Sequence, residues 1–543
     1  MRIKGFDPYN IYFNSSKKQA EKLGAKYVKS QVAWAIPLNA HSLKEAYQIT
    51  KDERLRDVAL SYKKGADKLK ELKNKTDVEG DPRLRPYQRV DVNFLKNRKF
   101  AGIFNEQRTG KTPTAITLLK ELNCPVNLVV VPASLVLQWE EEIKKWDTEA
   151  EVNTLNLTKK KRQQFYNEIK KRIQSNELTR TYIVVSYETL NADVSDLHEA
   201  LSFLNYELCL IADEAHRLTS LHKGKNASQQ SKSFLSISRL ADYRYLLTGT
   251  PSRSNGHDVW GLLHVLDPIR WSSYWHFIDR YYEKKQGFFG ETVIGKCKRP
   301  EELQEILNLI STQRKRKDVM KWLPEKQYKT LKIPFTAKQR KAYLSVLNTF
   351  EYEEEGEMVV DAPGQLAQLT RLSQICLAPS VLGINAPSAK VKAIKEWLKD
   401  NENEQVVIFS RFTSALKEVA KELAREKVGM IHGEMDTNER QNAVKRFQQG
   451  KTRVLLANII AAGTGITLDA AATAIFLDRS YVPIENEQAE DRIVPVSKER
   501  NHSVTIIDMV MNDSVEERIQ YLLKQKKNVI EVINNYGLKE VLK

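Results

Sequence analysis

The sequence predicts an α/β fold with two parallel-sheet cores, helical insertions and a small N-terminal α+β module. Apolar runs of strand length alternate with amphipathic helical patterns from about residue 84 to 265 and again from about 388 to 543. Runs such as 128–131 contain apolar residues only, which is typical of parallel strands buried on both faces. The chain has 543 residues, 41% of them hydrophobic, and is therefore long enough for several domain cores.

The charge balance favours a polyanionic partner. The chain carries 86 Lys and Arg residues against 69 Asp and Glu, a formal net charge of +17, although excess charge also serves solubility. The sequence shows no apolar run of about 18 residues and no charged-then-apolar leader, so we expect neither a membrane span nor secretion. Four well-separated cysteines without a CxxC pair argue against a zinc site and a disulfide framework: Cys124, Cys209, Cys297 and Cys376.

Residues 101–117, AGIFNEQRTGKTPTAIT, predict a site for a nucleoside triphosphate. An apolar strand leads into a polar turn, and a helix opens at the GKT triplet, as in a phosphate loop. Lys111 is expected to reach the β and γ phosphates, and the Thr112 hydroxyl to bind Mg²⁺. Asn105 replaces the leading Gly of the GxxxxGK[ST] pattern, so a plain helix start is the alternative. The rest of the predicted ATP-binding loop is Arg108, Thr109 and Gly110.

A pair of acidic residues follows the apolar strand in ELCLIADEAHRL, residues 207–218. The strand delivers Asp213 and Glu214 to its carboxyl end, where open α/β sheets place their ligands. Asp213 is predicted to hold Mg²⁺ through water, and Glu214 to orient and deprotonate the attacking water. An ordinary acidic helix start is the alternative interpretation.

Two further positions complete the predicted nucleotide site. Gln88 precedes the phosphate loop by some 20 residues, the position at which helicase-like motors read adenine. The segment YRYLLTGTPSRS, residues 243–254, supplies another strand and a polar loop that contains Thr248, Gly249 and Thr250. Such a loop is able to sense the γ-phosphate and to pass its state to a bound nucleic acid.

The order LRPYQ, GKT, VVVPASLVLQW, SYETL, DEAH and LTGTP resembles the first RecA-like motor lobe of the Snf-type remodelling translocases of helicase superfamily 2. In that family the phosphate loop usually reads DEMGLGKT, so Asn105 is a modest departure. The resemblance implies an ATP-driven motor on DNA, which this lobe would contact through Ser134, Gln138, Ser186 and Thr248.

Residues 266–385 interrupt the alternation of strands and helices. Within them, QRKRKDVMKWLP is similar to the family's basic segment before its inter-lobe crossing, and we expect it to lie near phosphates; a solvated basic helix is the alternative. The core that follows, 388–543, has no phosphate loop of its own. It is therefore interpreted as a second RecA-like lobe that supplies an arginine to the ATP.

AAGTGITL and QAEDRI, with the N-terminal KLGAKY and AWAIP, are similar to the annealing-helicase branch of this family. The resemblance implies that Gln488 and Arg492 face the ATP. It also implies that Arg411, Gly463 and Thr464 contact DNA and that Gly465 contacts ATP. The family reads QAxDRxHRIGQ, so a second arginine is replaced here by Pro495 and a histidine by Val494.

We expect four parts in the chain. Residues 13–39 of the first part predict a short helix, a stop at Gly24 and two short strands that end at Pro37. Basic residues and a tryptophan there fit a nucleic-acid surface and fit a solvated face equally well. The parts are a basic N-terminal module at 1–80 that is a candidate DNA-binding module, the ATP-binding lobe at 81–265, the helical insertions and linker at 266–387, and the second lobe at 388–543.

The sequence therefore predicts an ATP-dependent double-stranded DNA translocase that uses ATP and Mg²⁺ and remodels or rewinds double-stranded or branched DNA. We expect a monomer without an obligate protein partner and without membrane contact. An intracellular, cytoplasmic location with a viral or prokaryotic origin is expected, or the nucleus in a eukaryote. The alternatives are a strand-separating superfamily 2 DNA or RNA helicase and a nucleotide-gated DNA-binding scaffold with weak ATPase activity, which Pro495 favours.

Overall fold

The computed structural model describes residues 1–75, 78–204, 207–252, 256–286, 292–323, 325–354, 357–423, 426–463, 465–495, 502–525 and 529. The chain divides into two compact units, Met1–Val319 and Met320–Lys543. Each unit is built on its own sheet of parallel strands with buried apolar residues on both faces. Within these described ranges, no helix is long and apolar enough to cross a membrane.

The first unit begins with a small antiparallel sheet in the order β1-β2-β4-β3. Its strands are β1 (Arg2–Phe6), β2 (Asn10–Asn14), β3 (Lys26–Val28) and β4 (Ala33–Pro37), and its helices are α1 (Lys17–Lys22), α2 (Ala40–Thr50) and α3 (Arg54–Asn74). Gly24 follows α1 with φ +63°, and an added Cβ would lie 2.6 Å from the Cα of Arg280. The predicted helix, glycine stop and two strands are therefore confirmed.

A parallel sheet forms the centre of this unit, with neighbouring strands in the order β5-β10-β9-β6-β8-β7. The strands are β5 (Phe100–Ile103), β6 (Val126–Val131), β7 (Glu151–Thr154), β8 (Thr181–Ser186), β9 (Leu208–Ala212) and β10 (Tyr243–Leu247). Every residue of β6, β8 and β9 is buried. This confirms the prediction that the apolar runs form buried strands.

Helices cover both faces of this sheet. Successive residues of β6 point to opposite faces and so lie in different apolar clusters: Leu128 and Val130 in one, Val129 and Val131 in the other. The helices are α4 (Pro86–Lys96), α5 (Lys111–Leu122), α6 (Val136–Trp146), α7 (Lys159–Gln174), α8 (Tyr187–Ala192), α9 (Val194–Leu201) and α10 (Gln229–Ser238).

An insertion follows β10. It contains α11 (Trp260–Leu266), α12 (Tyr274–Tyr281), the antiparallel hairpin β11 (Tyr282–Gln286) and β12 (Thr292–Cys297), α13 (Pro300–Ile310), β13 (Ser311–Thr312) and α14 (Arg316–Val319). Strand β13 pairs in parallel with β5 and so brings the end of the insertion back to the central sheet.

Buried charges attach the N-terminal module to this insertion. Arg280 of α12 is 1% exposed and donates to Glu302 of α13 at 2.7 Å and to Glu45 of α2 at 3.1 Å. The Asn39 side chain donates to Glu302 Oε1 at 2.9 Å. Removing one partner from such a group leaves a buried charge without compensation, so the module is held at a defined position.

The second unit contains a six-stranded parallel sheet in the order β14-β21-β20-β17-β19-β18. Its elements are β14 (Gln327–Ile333), α15 (Ala337–Thr349), the hairpin β15 (Glu351–Glu354) and β16 (Glu357–Asp361), α16 (Gln365–Leu377), α17 (Ala389–Asp400), β17 (Val406–Ser410), α18 (Thr413–Glu422), β18 (Val428–Ile431), α19 (Thr437–Gln448), β19 (Val454–Asn458), α20 (Ile459–Ala462), β20 (Thr473–Phe476), α21 (Pro483–Asp491), β21 (Thr505–Met511) and α22 (Val515–Lys524).

The predicted α/β class with two parallel-sheet lobes is confirmed. The second sheet, however, takes in residues ahead of 388, because β14 pairs along its whole length with β21. Six of the seven residues of β14 are exposed, and its sequence QYKTLKI has no apolar run that would have marked a strand. The four domain boundaries given above stay predictions.

Candidate nucleotide site

The phosphate loop connects β5 to α5. Arg108 and Gly110 have positive φ values, +64° and +78°. The φ value of Gly110 is strained for any residue with a Cβ, and an added Cβ would also lie 2.2 Å from Nε2 of Gln88. Helix α5 begins at Lys111 and places its amino end, which attracts anions, at the end of the loop.

Gln88 braces this loop from α4. Its Oε1 accepts from the backbone N–H of Arg85 at 2.7 Å, while Nε2 donates to the carbonyl oxygens of Thr109 at 3.2 Å and Gly110 at 3.1 Å. The residue is 4% exposed. Adenine recognition by Gln88, which the sequence predicts, stays a prediction; the observed contacts of its Nε2 are with the loop.

The Lys111 ammonium group lies against the first part of the loop. Its Nζ donates to the carbonyl oxygens of Asn105 at 3.1 Å and Glu106 at 3.3 Å. Thr112, the next residue, lies in the first turn of α5. Lysine and threonine thus start the same helix, as the GKT triplet predicts, and the lysine is held close to the loop that would receive phosphates.

Asp213 follows the last residue of β9 and is held by two donors. Trp139 Nε1 of α6 donates to Oδ2 at 2.9 Å, and the N–H of Glu214 donates to Oδ1 at 2.8 Å. Burial and the neighbouring Glu214 charge raise the pKa of Asp213 to about 6. A divalent cation at this carboxylate would offset both effects, since it favours the charged form.

His216 connects the acidic site to the loop after β10. Its Nδ1 lies 3.2 Å from Glu214 Oε2 and 3.3 Å from Thr248 Oγ1. The Thr248 hydroxyl also accepts from the N–H of Thr250 at 3.1 Å. An added Cβ on Gly249 would lie 3.0 Å from Gln107 Cγ, so this loop lies against the phosphate loop.

The structure therefore brings together the phosphate loop, the Asp213 and Glu214 pair and the Thr248 loop at the carboxyl ends of adjacent parallel strands. Sequence reasoning missed two residues of this group. His216 is the last letter of DEAH, and Trp139 is the last letter of VVVPASLVLQW, but neither motif by itself indicates a contact with the acidic site. Their roles depend on contacts across 32 and 74 positions of the chain.

Trp139→Phe is expected to lower ATP turnover about ten- to a hundredfold, because a hydrogen bond to a charged group contributes about 1.5–3 kcal/mol. The measurement is steady-state ATPase activity with duplex DNA. Trp146→Phe is the matched control, since Trp146 is on the same helix and its Nε1 donates to Glu142 at 2.9 Å, away from Asp213. Equal losses in both variants would show that Trp139 contributes only to packing.

The residues predicted to contact DNA in this unit are at two kinds of position. Ser134 and Ser186 lie just after β6 and at the end of β8, two neighbouring parallel strands, and Gln138 is exposed on α6. Thr248 is 0% exposed and bonded internally, so a direct DNA contact would require its loop to move. The Ser186 hydroxyl accepts from the N–H of Thr189 at the start of α8. DNA contact by these residues stays a prediction.

In the second unit, Arg492 joins two predicted segments. Its Nη2 donates to the carbonyl oxygen of Gly463 at 2.6 Å and its Nε to that of Gln488 at 3.2 Å. An added Cβ on Gly463 would lie 3.6 Å from Gln488 Oε1, and Gly465 has φ +71°. The structure thus brings Gly463, which is predicted to contact DNA, close to Gln488 and Arg492, which are predicted to face the ATP.

The remaining positions of this unit that the sequence singles out are Arg411, Pro495 and Thr464. The Arg411 guanidinium donates to Asp478 Oδ2 at 2.9 Å and to the Tyr481 hydroxyl at 2.6 Å. Pro495 is buried and directly precedes residues 496–501, while Thr464 lies outside the described residues. ATP and DNA contacts by the residues of this unit stay predictions.

Comparison with known families decides the relationship. Residues 34–381 match the family described as SNF2-related domain, and residues 389–495 match the helicase conserved C-terminal domain. The chain belongs to the SNF2-related domain family. The resemblance to Snf-type translocases inferred from the ordered motifs is thereby confirmed.

The relatives of this SNF2-related chain include two kinds of protein. Human DNA annealing helicase and endonuclease ZRANB3 is 28% identical over 459 residues, which cover 82% of this chain and 40% of the relative. Chromodomain-helicase-DNA-binding protein 6 of Rattus norvegicus is 25% identical over 527 residues, 87% of this chain and 18% of the relative. The chain therefore spans less than half the length of these relatives. Both are animal proteins and give no support to a viral or prokaryotic origin.

A solved structure is also similar, the Sulfolobus solfataricus SWI2/SNF2 ATPase core in complex with dsDNA. It is 21% identical, with a TM-score of 0.38, and the match covers 85% of this chain and 95% of that one.

Proposed function

We propose that this protein is an ATP-dependent double-stranded DNA translocase of the Snf type that remodels or rewinds DNA. The observation that carries the proposal is the hydrogen-bonded group formed by Asp213, Glu214, His216 and Thr248 beside the phosphate loop, in a chain of the SNF2-related family. This arrangement supplies both a phosphate cradle and a carboxylate pair, the two requirements of nucleoside triphosphate hydrolysis.

Each group has a separate task in the proposed reaction. Lys111 binds the β and γ phosphates, and Glu214 orients the attacking water and takes its proton. Thr112 and Asp213 provide a hydroxyl and a carboxylate, the oxygen donors that Mg²⁺ prefers. When bound, Mg²⁺ would neutralise phosphate charge. In the second unit, Arg492 is the arginine proposed to stabilise the charge that develops on the γ-phosphoryl group.

Double-stranded or branched DNA is the proposed partner. The names of the relatives describe a DNA annealing helicase and DNA-binding proteins, and the net charge of +17 suits a phosphate backbone. We propose a monomer that acts inside the cell, where ATP and duplex DNA are found, without an obligate protein partner.

The test compares ATP turnover with and without duplex DNA, then strand movement. We expect duplex DNA to stimulate turnover, and ATP to drive displacement of the third strand from a triplex without unwinding of a forked duplex. Efficient unwinding of the fork would support a strand-separating helicase instead. DNA binding that depends on ATP, with negligible turnover, would support the scaffold alternative.

Affinity for duplex DNA is expected to fall steeply with salt and to vary little with base sequence. If about six phosphates are contacted, affinity should fall about 10³-fold between roughly 50 and 200 mM salt, because bound counterions are released on binding. Fluorescence anisotropy with two duplexes of unrelated sequence measures both properties. Strong preference for one duplex, with little dependence on salt, would contradict the proposal.

A further inference from the structure

Three polar side chains meet at the first part of the phosphate loop: those of Asp91, Asn105 and Arg314. Asn105 is 1% exposed and Asp91 of α4 is 0% exposed. Asn105 Nδ2 donates to Asp91 Oδ2 at 2.9 Å, and Asn105 Oδ1 accepts from the backbone N–H of Arg314 at 2.9 Å. The Asn105 amide thus donates to a residue of α4 and accepts from the segment between β13 and α14.

The Arg314 side chain closes this group. Its guanidinium lies 2.9 Å (Nε) and 2.8 Å (Nη2) from Asp91 Oδ1, so the buried carboxylate has a counter-ion. Burial raises the pKa of Asp91, and Arg314 offsets part of this shift. The three residues therefore form a closed triangle of hydrogen bonds in which each member contacts the other two.

The backbone strengthens the same connection. The N–H of Phe104 donates to the carbonyl oxygen of Thr312 at 2.9 Å, and the N–H of Glu106 donates to that of Arg314 at 2.9 Å. These bonds continue the parallel pairing of β5 with β13 beyond the end of each strand. The first part of the phosphate loop, residues 104–106, is consequently aligned with residues 312–314.

The aligned residues 104–106 also hold Lys111, the lysine proposed to bind the phosphates. The carbonyl oxygens that accept from Lys111 Nζ belong to Asn105 and Glu106, the residues held by the triangle and the backbone bonds. A shift of residue 105 would therefore move the acceptor that places the Lys111 ammonium group. A misplacement of about 1 Å in a catalytic group is able to cost about a hundredfold in rate.

We propose that Asp91, Asn105 and Arg314 are positioning residues for ATP hydrolysis, which fix the first part of the phosphate loop and, through its carbonyl oxygens, Lys111. The inference rests on the proposed ATPase function. It also gives a physical reason for asparagine at position 105, since a leading glycine has no side chain with which to make either bond.

The test exchanges the amide and the carboxylate. Asn105→Asp places a second carboxylate 2.9 Å from that of Asp91, and like charges at this distance repel. We expect its turnover number to fall about ten- to a hundredfold. The double variant Asp91→Asn with Asn105→Asp restores one donor facing one acceptor, and we expect it to recover to within about fivefold of the wild type.

Arg314→Lys is a second test, because it keeps the charge and removes the two-nitrogen contact with Asp91. Its control is Arg162→Lys, which alters a similar two-nitrogen pair between Arg162 on α7 and Asp193, the residue just before α9, far along the chain from the loop. We expect a reduced turnover number only for Arg314→Lys, with thermal unfolding of both variants measured by circular dichroism. If Asn105→Asp does not fold, this pair of variants decides.

The outcomes separate this inference from the proposed function. Wild-type protein without DNA-stimulated turnover would remove the proposed function itself. An active wild type whose Asn105→Asp and Arg314→Lys variants, both folded, keep full turnover would overturn the positioning role. Recovery in the double exchange shows that residues 91 and 105 act as a pair. A lower turnover number in the single variants without a matching fall in their unfolding temperature assigns that pair to positioning rather than to stability.

Discussion

Lys111→Ala is expected to abolish DNA-stimulated ATP hydrolysis and to weaken ATP binding. The substitution removes the cation that reaches the β and γ phosphates, and losing one such electrostatic contact costs at least about 10²–10³-fold in rate. In the structure Lys111 Nζ donates to two loop carbonyl oxygens, so alanine also removes those bonds. Steady-state ATPase activity and binding of a fluorescent ATP analogue measure the two effects.

Glu214→Gln is expected to lose hydrolysis by a different route and to keep ATP binding. Only the carboxylate that takes the proton from water is removed, and loss of a general base costs about 10²–10⁴-fold. The amide keeps the shape of the side chain beside His216. Retained DNA-stimulated turnover in this variant would remove Glu214 from the role of base.

Lys120→Ala is the control for this pair, because Lys120 lies on the same helix, α5, in its last turn and far from the phosphate loop. It should bind and hydrolyse ATP like the wild type. If Lys111→Ala turned over ATP at a similar rate, the GKT segment would be an ordinary helix start and the proposed site would be wrong.

Arg492→Ala is expected to lose nearly all DNA-stimulated ATPase activity. Removing an arginine that stabilises the γ-phosphoryl transition state typically costs about 10³–10⁵-fold. Pro495 occupies the position of the family's second arginine and carries no charge, so Arg492 is expected to be the main catalytic contact of its segment. In the structure it also donates to the carbonyl oxygens of Gly463 and Gln488.

Arg453→Ala provides the matched control, because Arg453 also donates to backbone carbonyl oxygens, those of Leu398 and Asn401, but lies at the amino end of β19. It should leave turnover close to that of the wild type. Lys498→Ala and Arg500→Ala, which lie outside the described part of the chain, are expected to have graded effects. An active Arg492→Ala together with an inactive Arg500→Ala would assign the catalytic contact to Arg500.

Local patterns were enough to predict the two sheets and the nucleotide site. Buried parallel strands such as β6 and β8 contain short unbroken apolar runs, LVVV and IVV, so they are visible without any knowledge of their neighbours. The position of Asp213 follows for the same reason, since a parallel strand carries the next polar residue to the carboxyl edge of its sheet. The position of Lys111 follows from the GKT triplet, which starts helix α5.

Strand β14 was missed because it depends on a partner. Its exposed sequence is stabilised by pairing with β21, which lies far away in the chain, and edge strands need few apolar residues. A strand of this kind has no local signal that separates it from a basic linker.

What the sequence by itself determined is therefore the family, the α/β class and the order of the phosphate loop, the carboxylate pair and the threonine loop. Only the tertiary structure showed that Trp139 orients Asp213, that His216 joins Glu214 to Thr248, and that Asn105 is held by Asp91 and Arg314. The physical reason is that each of these contacts is a directional hydrogen bond or ion pair between distant segments. Whether two such side chains meet depends on how the sheet and its helices pack, which no local spacing encodes.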